Sequence, residues 1–254
     1  MSPIDDDDDS GGEVLHLPAV ELLRRQPTGS VGAIITDPPF FISTGRDGGG
    51  MGDDPWVADV SNTDAMIEWS VPLAQEAFRV IRPGGACVVM GGAHSISAWQ
   101  TAADRAGLVW MADLVVLWNT GKPRMRNFGG LHTSVRWHVR PGSRHAFHGH
   151  RAIYSNILVC NKIPVSRRYH VSQKPVELTN FLVSLLTNSD DLIVDPFCGS
   201  GSTLVSAAMC GRRWLGGDTD IDYCRIAQKR ALEYEIEDEL PPLKLWHNGK
   251  MREV

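Results

Sequence analysis

The sequence predicts an α/β fold with a mostly parallel sheet and helices on both faces. Short β-branched runs, such as 31–36 and 192–195, alternate with stretches such as 64–81 whose apolar residues recur at helical spacing. Strands that alternate with helices are typical of parallel sheets covered on both faces. A loop rich in Gly or Pro directly follows each of these two runs. Ligands of open α/β sheets bind beyond the carboxyl ends of the strands, so these loops are the first candidates for a site.

The remaining elements follow in order along the chain. Pro83-Gly84-Gly85 is predicted to end the helix 64–81, in which Pro72 indicates a kink or a later start. Gly107 and Gly211 are predicted to close two later helices. The predicted strands are 31–36, 86–90, 114–117, 156–160, 192–195 and 214–217, and the predicted helices are 64–81, 95–106, 175–186, 203–210 and 221–232.

The chain is expected to form one main domain over residues 13–232, because its 254 residues suit a single large core. Residues 1–12 are acidic and are predicted to be a disordered lead-in. Residues 233–254 form a charged C-terminal extension that the pattern does not assign to any element.

Composition excludes several protein classes. The hydrophobic (43%) and charged (22%) fractions are those of a globular chain, and not of a collagen, a disordered chain or a coiled coil. No run of about 18 apolar residues is present, so no transmembrane helix is expected. The N-terminus lacks the basic and apolar regions of a signal peptide. With five Cys and no C-x-x-C pair, the chain is expected to carry free thiols in a reducing cytoplasm.

Charge is distributed unevenly along the chain. The net charge is −5, yet residues 114–176 hold eleven Lys or Arg and no Asp or Glu. A polyanion is the natural partner of such a segment, because each phosphate contact releases condensed counterions. A basic face that pairs with the acidic remainder of the fold is the alternative. We place a basic insert at about 119–168, and its candidate nucleic-acid contacts are Lys122, Arg124, Arg126, Arg136, Arg140 and Arg144.

Three histidines of the insert, His145, His148 and His150, have a spacing that invites a metal interpretation. The insert offers no carboxylate and only Cys160 as a thiol ligand. Phosphate contact is therefore favoured over zinc, and no metal is expected.

The loop Asp195-Pro-Phe-Cys-Gly-Ser-Gly201 follows an apolar strand and opens a helix. Gly199 and Gly201 allow the backbone to pass close to a ligand, and the first helical turn offers free N–H groups. Asp218 follows the next strand, where a carboxylate is able to accept both hydroxyls of a ribose. The full G-x-G-x-x-G pattern is absent. The order of strand, G-x-G, helix, strand and acid favours an adenosine-containing ligand over a simple glycine turn.

The loop Asp37-Pro-Pro-Phe40 follows the strand 31–36. Pro38 and Pro39 stiffen the loop and leave its carbonyl oxygens free as acceptors. The Asp37 carboxylate and the Pro38 carbonyl suit the two hydrogens of an exocyclic amine, and the Phe40 ring offers a face on which a base can stack.

These two loops resemble the catalytic and S-adenosylmethionine loops of the amino-group DNA methyltransferases. The stretch His170-Val-Ser-Gln-Lys-Pro175 resembles the element before the cofactor loop in that family, and Trp214-Leu-Gly-Gly-Asp218 resembles its ribose-binding turn. The catalytic loop precedes the cofactor loop, with the basic insert between them. This circularly permuted order is that of the β class, in which the target-recognition region lies at the position of the insert. The resemblance covers about 14–232.

The resemblance implies a Rossmann-like, circularly permuted methyltransferase fold. It also implies site-specific transfer of a methyl group from S-adenosylmethionine to the N6 of a flipped-out adenine. Asp37, where other members have Ser, is more similar to the adenine-N6 than to the cytosine-N4 enzymes. Phe40 stands where Tyr is usual, and Asp218 where Glu is frequent. The implied catalytic residues are Asp37, Pro38, Pro39 and Phe40, and the implied cofactor-binding residues are His170, Gln173, Lys174, Asp195, Pro196, Phe197, Cys198, Gly199, Ser200, Gly201, Asp218 and Thr219.

Three alternatives remain open: a cytosine-N4 DNA methyltransferase, an RNA adenine methyltransferase and a catalytically silent DNA-binding partner. The intact Asp37, Gly199, Gly201 and Asp218 argue against the silent partner. The implied partner is double-stranded DNA read in a sequence-specific way, with no membrane. A homodimer and a cognate restriction or defence system are compatible with the resemblance.

Overall fold

The computed structural model of the chain describes residues 11–39, 63–119, 131–149, 155–170, 172–234, 242–247 and 250–253. The strands are β1 (Gly12–His16), β2 (Val31–Thr36), β3 (Ile81–Gly91), β4 (Val109–Trp118), β5 (His132–Val139), β6 (Ile157–Cys160), β7 (Leu192–Asp195), β8 (Arg213–Asp218), β9 (Lys244–His247) and β10 (Lys250–Glu253). The helices are α1 (Ala19–Arg24), α2 (Thr63–Val80), α3 (Ala93–Ala106), α4 (Val176–Leu186), α5 (Ser202–Met209) and α6 (Ile221–Glu233), and a 3-10 turn spans Val165–Arg167.

The strands form one sheet in the order β1-β8-β7-β2-β3-β5-β4-β6-β9-β10. Strands β1, β8, β7, β2 and β3 are mutually parallel, whereas β5 runs antiparallel to both β3 and β4. We call the side on which the five parallel strands finish the carboxyl end of the sheet, and the opposite side the amino end. This mixed sheet confirms the predicted α/β class.

Helices cover both faces of the sheet, as the sequence predicts. Strand β2 is buried along its whole length, and its side chains alternate between the two faces. Ile35 packs into a cluster with apolar residues of α4, α5 and α6, whereas Ile34 packs into a second cluster with residues of α1, α2 and α3. Packing by these two clusters, one on each face of the sheet, fixes the positions of the strand ends. None of the described helices is both long and apolar enough to span a bilayer.

Local signals placed most helix boundaries correctly. Helix α3 ends at Gly107, whose φ of 91° is the left-handed conformation that glycine adopts readily. Helix α2 begins at Thr63 and runs through Pro72, so the predicted later start is wrong. Helix α1 was not predicted.

Strand β3 begins earlier than predicted, because Ile81 pairs with Val31 immediately after α2 ends. The pairing then shifts register before Ala33 meets Ala86, and Gly84 in this irregular stretch has a φ of 78°. The Pro83-Gly84-Gly85 turn thus lies inside β3 as a bulge, in which β3 has more residues than β2 between the two pairings.

The basic insert is in part a component of the fold. Strand β5 lies within the proposed insert (119–168), yet it occupies the sheet between β3 and β4. The C-terminal extension contributes β9 and β10, an antiparallel pair in which Leu245 of β9 is the partner of Leu158 in β6.

Candidate functional site

The two loops of interest meet where the connections of the sheet change direction. From β7 the chain passes through α5 to β8 on one side, and from β2 it passes to β3 on the other. Strands β7 and β2 are parallel neighbours, with Ile34 opposite Val194. The crevice beyond the carboxyl ends of two such strands is the usual ligand site of open α/β sheets. Asp37 follows β2 and Pro196 follows β7 at this position.

A hydrogen bond joins the ends of these two strands. The Thr36 hydroxyl donates to Asp195 Oδ1 at 2.6 Å, and the Phe197 amide donates to the same oxygen at 3.1 Å. Burial raises the pKa of Asp195 to about 6, although these bonds and one from Thr203 favour the carboxylate. Asp195 therefore lies beneath the loop as a buried group that fixes it.

Two glycines shape the loop after β7. Gly199 and Gly201 have φ of 49° and 83°, both in the left-handed region. A Cβ on Gly201 would lie only 2.9 Å from the Cα of Ala227 in α6. Gly201 is therefore required both for its conformation and for close packing of the loop on α6.

Asp218 anchors the same loop from the end of β8. Its Oδ2 accepts the Gly199 amide and its Oδ1 accepts the Asp220 amide, both at 2.9 Å. Each carboxylate oxygen has a second lone pair for a further donor. The carbonyl of Thr219 is hydrogen-bonded to the His16 ring at 2.9 Å, so this predicted cofactor residue supports the turn through its backbone.

His170 lies against the glycine loop, and Gln173 supports the turn that carries it. The His170 ring meets the Tyr223 ring edge-on, with centroids 4.5 Å apart, and lies 3.6 Å from where a Cβ on Gly199 would be. Burial lowers the pKa of His170, which favours the neutral ring. Gln173 is buried and accepts the Tyr169 amide at 2.7 Å, so it holds the turn that presents His170.

Lys174 connects the two loops. Its ammonium forms an ion pair with Asp37 Oδ2 and donates to the Ser172 carbonyl at 3.2 Å. Its backbone carbonyl accepts the hydroxyl of Ser202, the first residue of α5, at 2.7 Å.

The other predicted site residues differ in their burial and contacts. Pro38 is buried and Pro39 exposed, while Phe40 lies outside the described residues. The Phe197 ring packs 6.0 Å from Trp69 of α2. Cys198 is buried, and burial raises the pKa of its thiol well above the usual value, so it is not a thiolate.

Two supporting residues were missed by the sequence reasoning. Thr36 was read only as the end of a strand. Arg230 is almost fully buried, donates to the Ser200 carbonyl at 2.6 Å and covers the Tyr169 ring at 4.9 Å. Arg230 comes three residues after Ala227, on the buried face of α6. This helical spacing was the feature of the sequence that could have identified Arg230 as buried.

Arg136 and Arg140, predicted as DNA contacts, have partners within the protein. Arg136 lies in β5 and forms a double ion pair with Asp113 of β4, at 2.6 and 2.7 Å. Arg140 donates to the carbonyls of Arg79 and Ile81. Both guanidinium groups are engaged by the protein itself, because residues distant in sequence surround them.

Arg144 is exposed but lies at the amino end of the sheet. Strand β5 runs from Ser134 opposite Gly91 to Val139 opposite Ala86, so the chain after it emerges where β3 begins. A Cβ on Gly84 would meet the Arg144 carbonyl at 2.5 Å. Arg144 is therefore on the side opposite to Asp37. Lys122, Arg124 and Arg126 lie outside the described residues.

The histidines of the insert have structural neighbours. His145 packs edge-on against Trp137, and the His148 ring is hydrogen-bonded to Asn188 at 3.1 Å. His150 lies outside the described residues. Within the part of the chain that the structure describes, no three His, Cys, Asp or Glu side chains come together as metal ligands.

The carboxyl-end site has the chemistry to hold an adenosine-containing ligand. Asp218 offers acceptors for sugar hydroxyls, the two glycines keep side chains away from the loop, and the α5 N-terminus offers backbone donors. The Asp37 carboxylate lies beside this cradle and is able to accept from an amine.

Comparison with known proteins agrees with this chemistry. The profile of the N6/N4 DNA methylase family matches residues 31–229. The chain is 26% identical over 245 residues to the type II methyltransferase M2.DpnII of Streptococcus pneumoniae, covering 88% of this chain and 90% of that protein. It is 21% identical over 280 residues to the DNA adenine methyltransferase YhdJ of Escherichia coli K12, covering 94% and 89%.

Solved structures share the fold. The M1.HpyAVI–SAM complex aligns with a TM-score of 0.65 and 22% identity over 87% of this chain and 99% of that chain. The cytosine-N4-specific PvuII DNA methyltransferase aligns with a TM-score of 0.70 and 18% identity over 89% and 93%.

Proposed function

Because this chain belongs to the N6/N4 DNA methylase family, we propose that it transfers a methyl group from S-adenosylmethionine to the exocyclic N6 of adenine in double-stranded DNA. The observation that carries the proposal is the Asp37 carboxylate at the carboxyl end of β2, beside the cradle formed by the loop 195–201. The similarity to a protein named a DNA adenine methyltransferase supports the choice of base. Cytosine N4 is the second candidate, supported by the likeness to the PvuII enzyme.

The cofactor site would be formed by the residues that surround the glycine loop. Asp218 would accept the ribose hydroxyls, and the His170–Tyr223 pair would flank the same loop. When bound, S-adenosylmethionine supplies a methyl group on a sulfonium. Every other contribution comes from groups of the chain that bind and orient the reactants.

Asp37 would act as the acceptor of an N–H from the target amine. The amine nitrogen is a poor nucleophile because its lone pair is delocalised into the ring. Hydrogen bonds to the Asp37 carboxylate and the Pro38 carbonyl would favour a pyramidal nitrogen with its lone pair directed forward. The Phe40 ring would hold the base by stacking, and its replacement by Ala would cost about 1–3 kcal/mol. The base must leave the duplex to reach Asp37.

The proposed DNA face is the carboxyl end of the sheet between β2 and β6. The ends of β4 and β6 are joined there by the Asn119 amide, which donates to the Cys160 carbonyl at 3.2 Å. Lys162 follows β6, and its ammonium lies 5.9 Å from the centre of the Trp118 ring. Strands β2 and β6 are four places apart in the sheet, so the two strands lie about 19 Å apart at ~4.8 Å per strand.

Residues on both sides of the basic stretch 120–130 lie at this same end, since the Trp118 amide donates to the Leu131 carbonyl at 2.8 Å. This placement supports Lys122, Arg124 and Arg126 as phosphate contacts. A cognate nuclease, a homodimer and a cytoplasmic location remain compatible with the proposal.

The experiment is incorporation of tritiated methyl groups into unmodified DNA, followed by chromatography of the nucleosides. The wild-type protein should place label in N6-methyladenine. The rate of methyl transfer by D37N should be at least about a hundredfold lower than that of wild type. The matched control is D222N, because Asp222 is an exposed acid that pairs with Arg225 on α6.

Two results would contradict the proposal. Label in N4-methylcytosine would identify the other base. Near-normal turnover by D37N would show that the catalytic loop lies elsewhere.

A further inference from the structure

Lys174 contacts the group that the proposed reaction uses, although its family resemblance implies only cofactor binding. Its ammonium reaches Asp37 across 137 positions of sequence. The side chain is mostly buried, with 15% of its surface exposed, and that of Asp37 is 24% exposed. A pair at this depth is screened less by salt than a surface pair, and its geometry is more strongly fixed.

The backbone of Lys174 is fixed independently of its side chain. Its carbonyl accepts the Ser202 hydroxyl, and the carbonyl of Ser202 accepts the Thr179 hydroxyl at 3.1 Å. Ser202 begins α5, directly after the glycine loop, and Thr179 lies in α4. Lys174 is thus attached to the elements that hold the cofactor loop, while its ammonium reaches the catalytic loop.

We infer that Lys174 is a positioning residue, which holds Asp37 Oδ2 so that Oδ1 faces the target amine. The inference rests on the proposed role of Asp37. Three carboxylates, those of Asp37, Asp195 and Asp218, lie around this end of the sheet. Burial is the main reason that the pKa of Asp195 is raised, and the negative charge of Asp37 raises it further. The ammonium holds Asp37 in place against this repulsion. Without it, the Asp37 side chain would turn freely between rotamers.

The test compares K174M with K174R at saturating S-adenosylmethionine. K174M should lower the single-turnover rate of methyl transfer by about 10- to 100-fold, the usual consequence of a misplaced reacting group. K174R keeps a cation of similar reach, so it should recover most of that rate. Calorimetry should give S-adenosylmethionine affinities within about threefold of wild type for both variants.

The matched control is K229M, because Lys229 is an exposed lysine of α6 whose ammonium lies 3.7 Å from Glu233. This variant should keep the wild-type rate. If K174M does not fold by circular dichroism, K174A replaces it under the same criteria, since its side chain has neither a charge nor a donor.

Two results would overturn the inference. A tenfold weaker binding of S-adenosylmethionine with an unchanged saturated rate would make Lys174 a cofactor ligand. An unchanged rate and affinity would make the ion pair incidental. This test and the test of the proposed function have different readouts. Label on cytosine N4 would refute the choice of adenine, but the effect of K174M on the rate would still report the role of Lys174.

Discussion

The two ends of the sheet use charged side chains in different ways. At the carboxyl end, Asp218 accepts one backbone amide on each oxygen and retains lone pairs for a ligand. At the amino end, Arg140 donates to two backbone carbonyls, and Arg82 forms a double ion pair with Asp191 at 2.8 and 3.0 Å. Asp218 can therefore still accept hydrogen bonds from a ligand, whereas the N–H groups of these arginines are used by carbonyls and a carboxylate of the protein itself.

The difference shows that the type of residue does not determine its use. Arg136 and Arg140 have the composition of a DNA-binding segment, but a strand of the sheet places them among internal acceptors. Buried carbonyls and carboxylates need donors, and a guanidinium with five N–H groups satisfies several at once. Four predictions would break or sharpen this comparison.

The largest effect is expected for D218A, which removes an acid from the carboxyl end. The affinity for S-adenosylmethionine should fall more than about tenfold, because charge-assisted hydrogen bonds to hydroxyls are lost and the Gly199 amide loses its acceptor. Calorimetry on D218A and on the exposed control D222A measures it. Equal affinity in D218A and wild type would remove Asp218 from the site.

The second largest effect is expected for D195N, which should change the stability of the protein in a way that depends on pH. The pKa of Asp195 is raised from 3.8 to about 6 by burial, so the folded state retains the proton more strongly than the unfolded state. The stability that the neutral form contributes is present below pH ~4 and is lost as the pH rises to about 6. D195N removes the buried charge but places amide N–H donors where the carboxylate only accepts, so it should stabilise the ligand-free protein at pH 8 by at most about 3 kcal/mol.

Urea unfolding of wild type and D195N at pH 8 and pH 5 measures this difference. The advantage of D195N should be smaller at pH 5, where most of the carboxyl in the folded wild type is protonated. An advantage that does not change with pH would assign the effect to packing and not to the charge.

The third effect distinguishes a structural arginine from a DNA contact. R136M should lower the free energy of unfolding by about 1–3 kcal/mol, because it removes the double ion pair with Asp113 and the hydrogen bond to the Ile96 carbonyl. The Arg136 hydrogen bond is also the main reason that the pKa of Asp113 is lowered. The control R225M removes an exposed pair with Asp222 and should change stability by less than about 0.5 kcal/mol. A folded R136M of wild-type stability with weaker DNA binding would show that Arg136 is a DNA contact and not a structural residue.

The smallest effect compares two exposed or half-buried cations at opposite ends of the sheet. K162A should flatten the slope of log affinity for DNA against log salt by about 0.9, the value for one phosphate contact. R144A should leave the slope unchanged, because Arg144 lies at the amino end, beside Gly84. Titrations of a labelled duplex at several salt concentrations measure both, and the reverse pattern would place the DNA on the other side.

Local sequence signals were sufficient for much of the fold. The strands β2 and β7, the helix α3 with its Gly107 end and the glycine loop were all predicted from neighbouring residues. Strand β5 was not predicted, since its place between β3 and β4 depends on pairing with residues far along the chain. The β9–β10 pair was also missed: its own pairing is local, but its place in the sheet depends on the distant pairing of β9 with β6.

The sequence by itself determined which groups stand at the carboxyl ends of β2, β7 and β8, because a strand and the loop after it are continuous in the chain. It determined Asp37, the glycine loop and Asp218 in this way. Only the tertiary structure decided which groups meet. Thr36 bonds Asp195 across 159 positions and Lys174 pairs with Asp37 across 137, and the same packing places Arg136 against Asp113. Such partners are selected by strand order and burial, which bring distant residues together and require each buried polar group to find a partner.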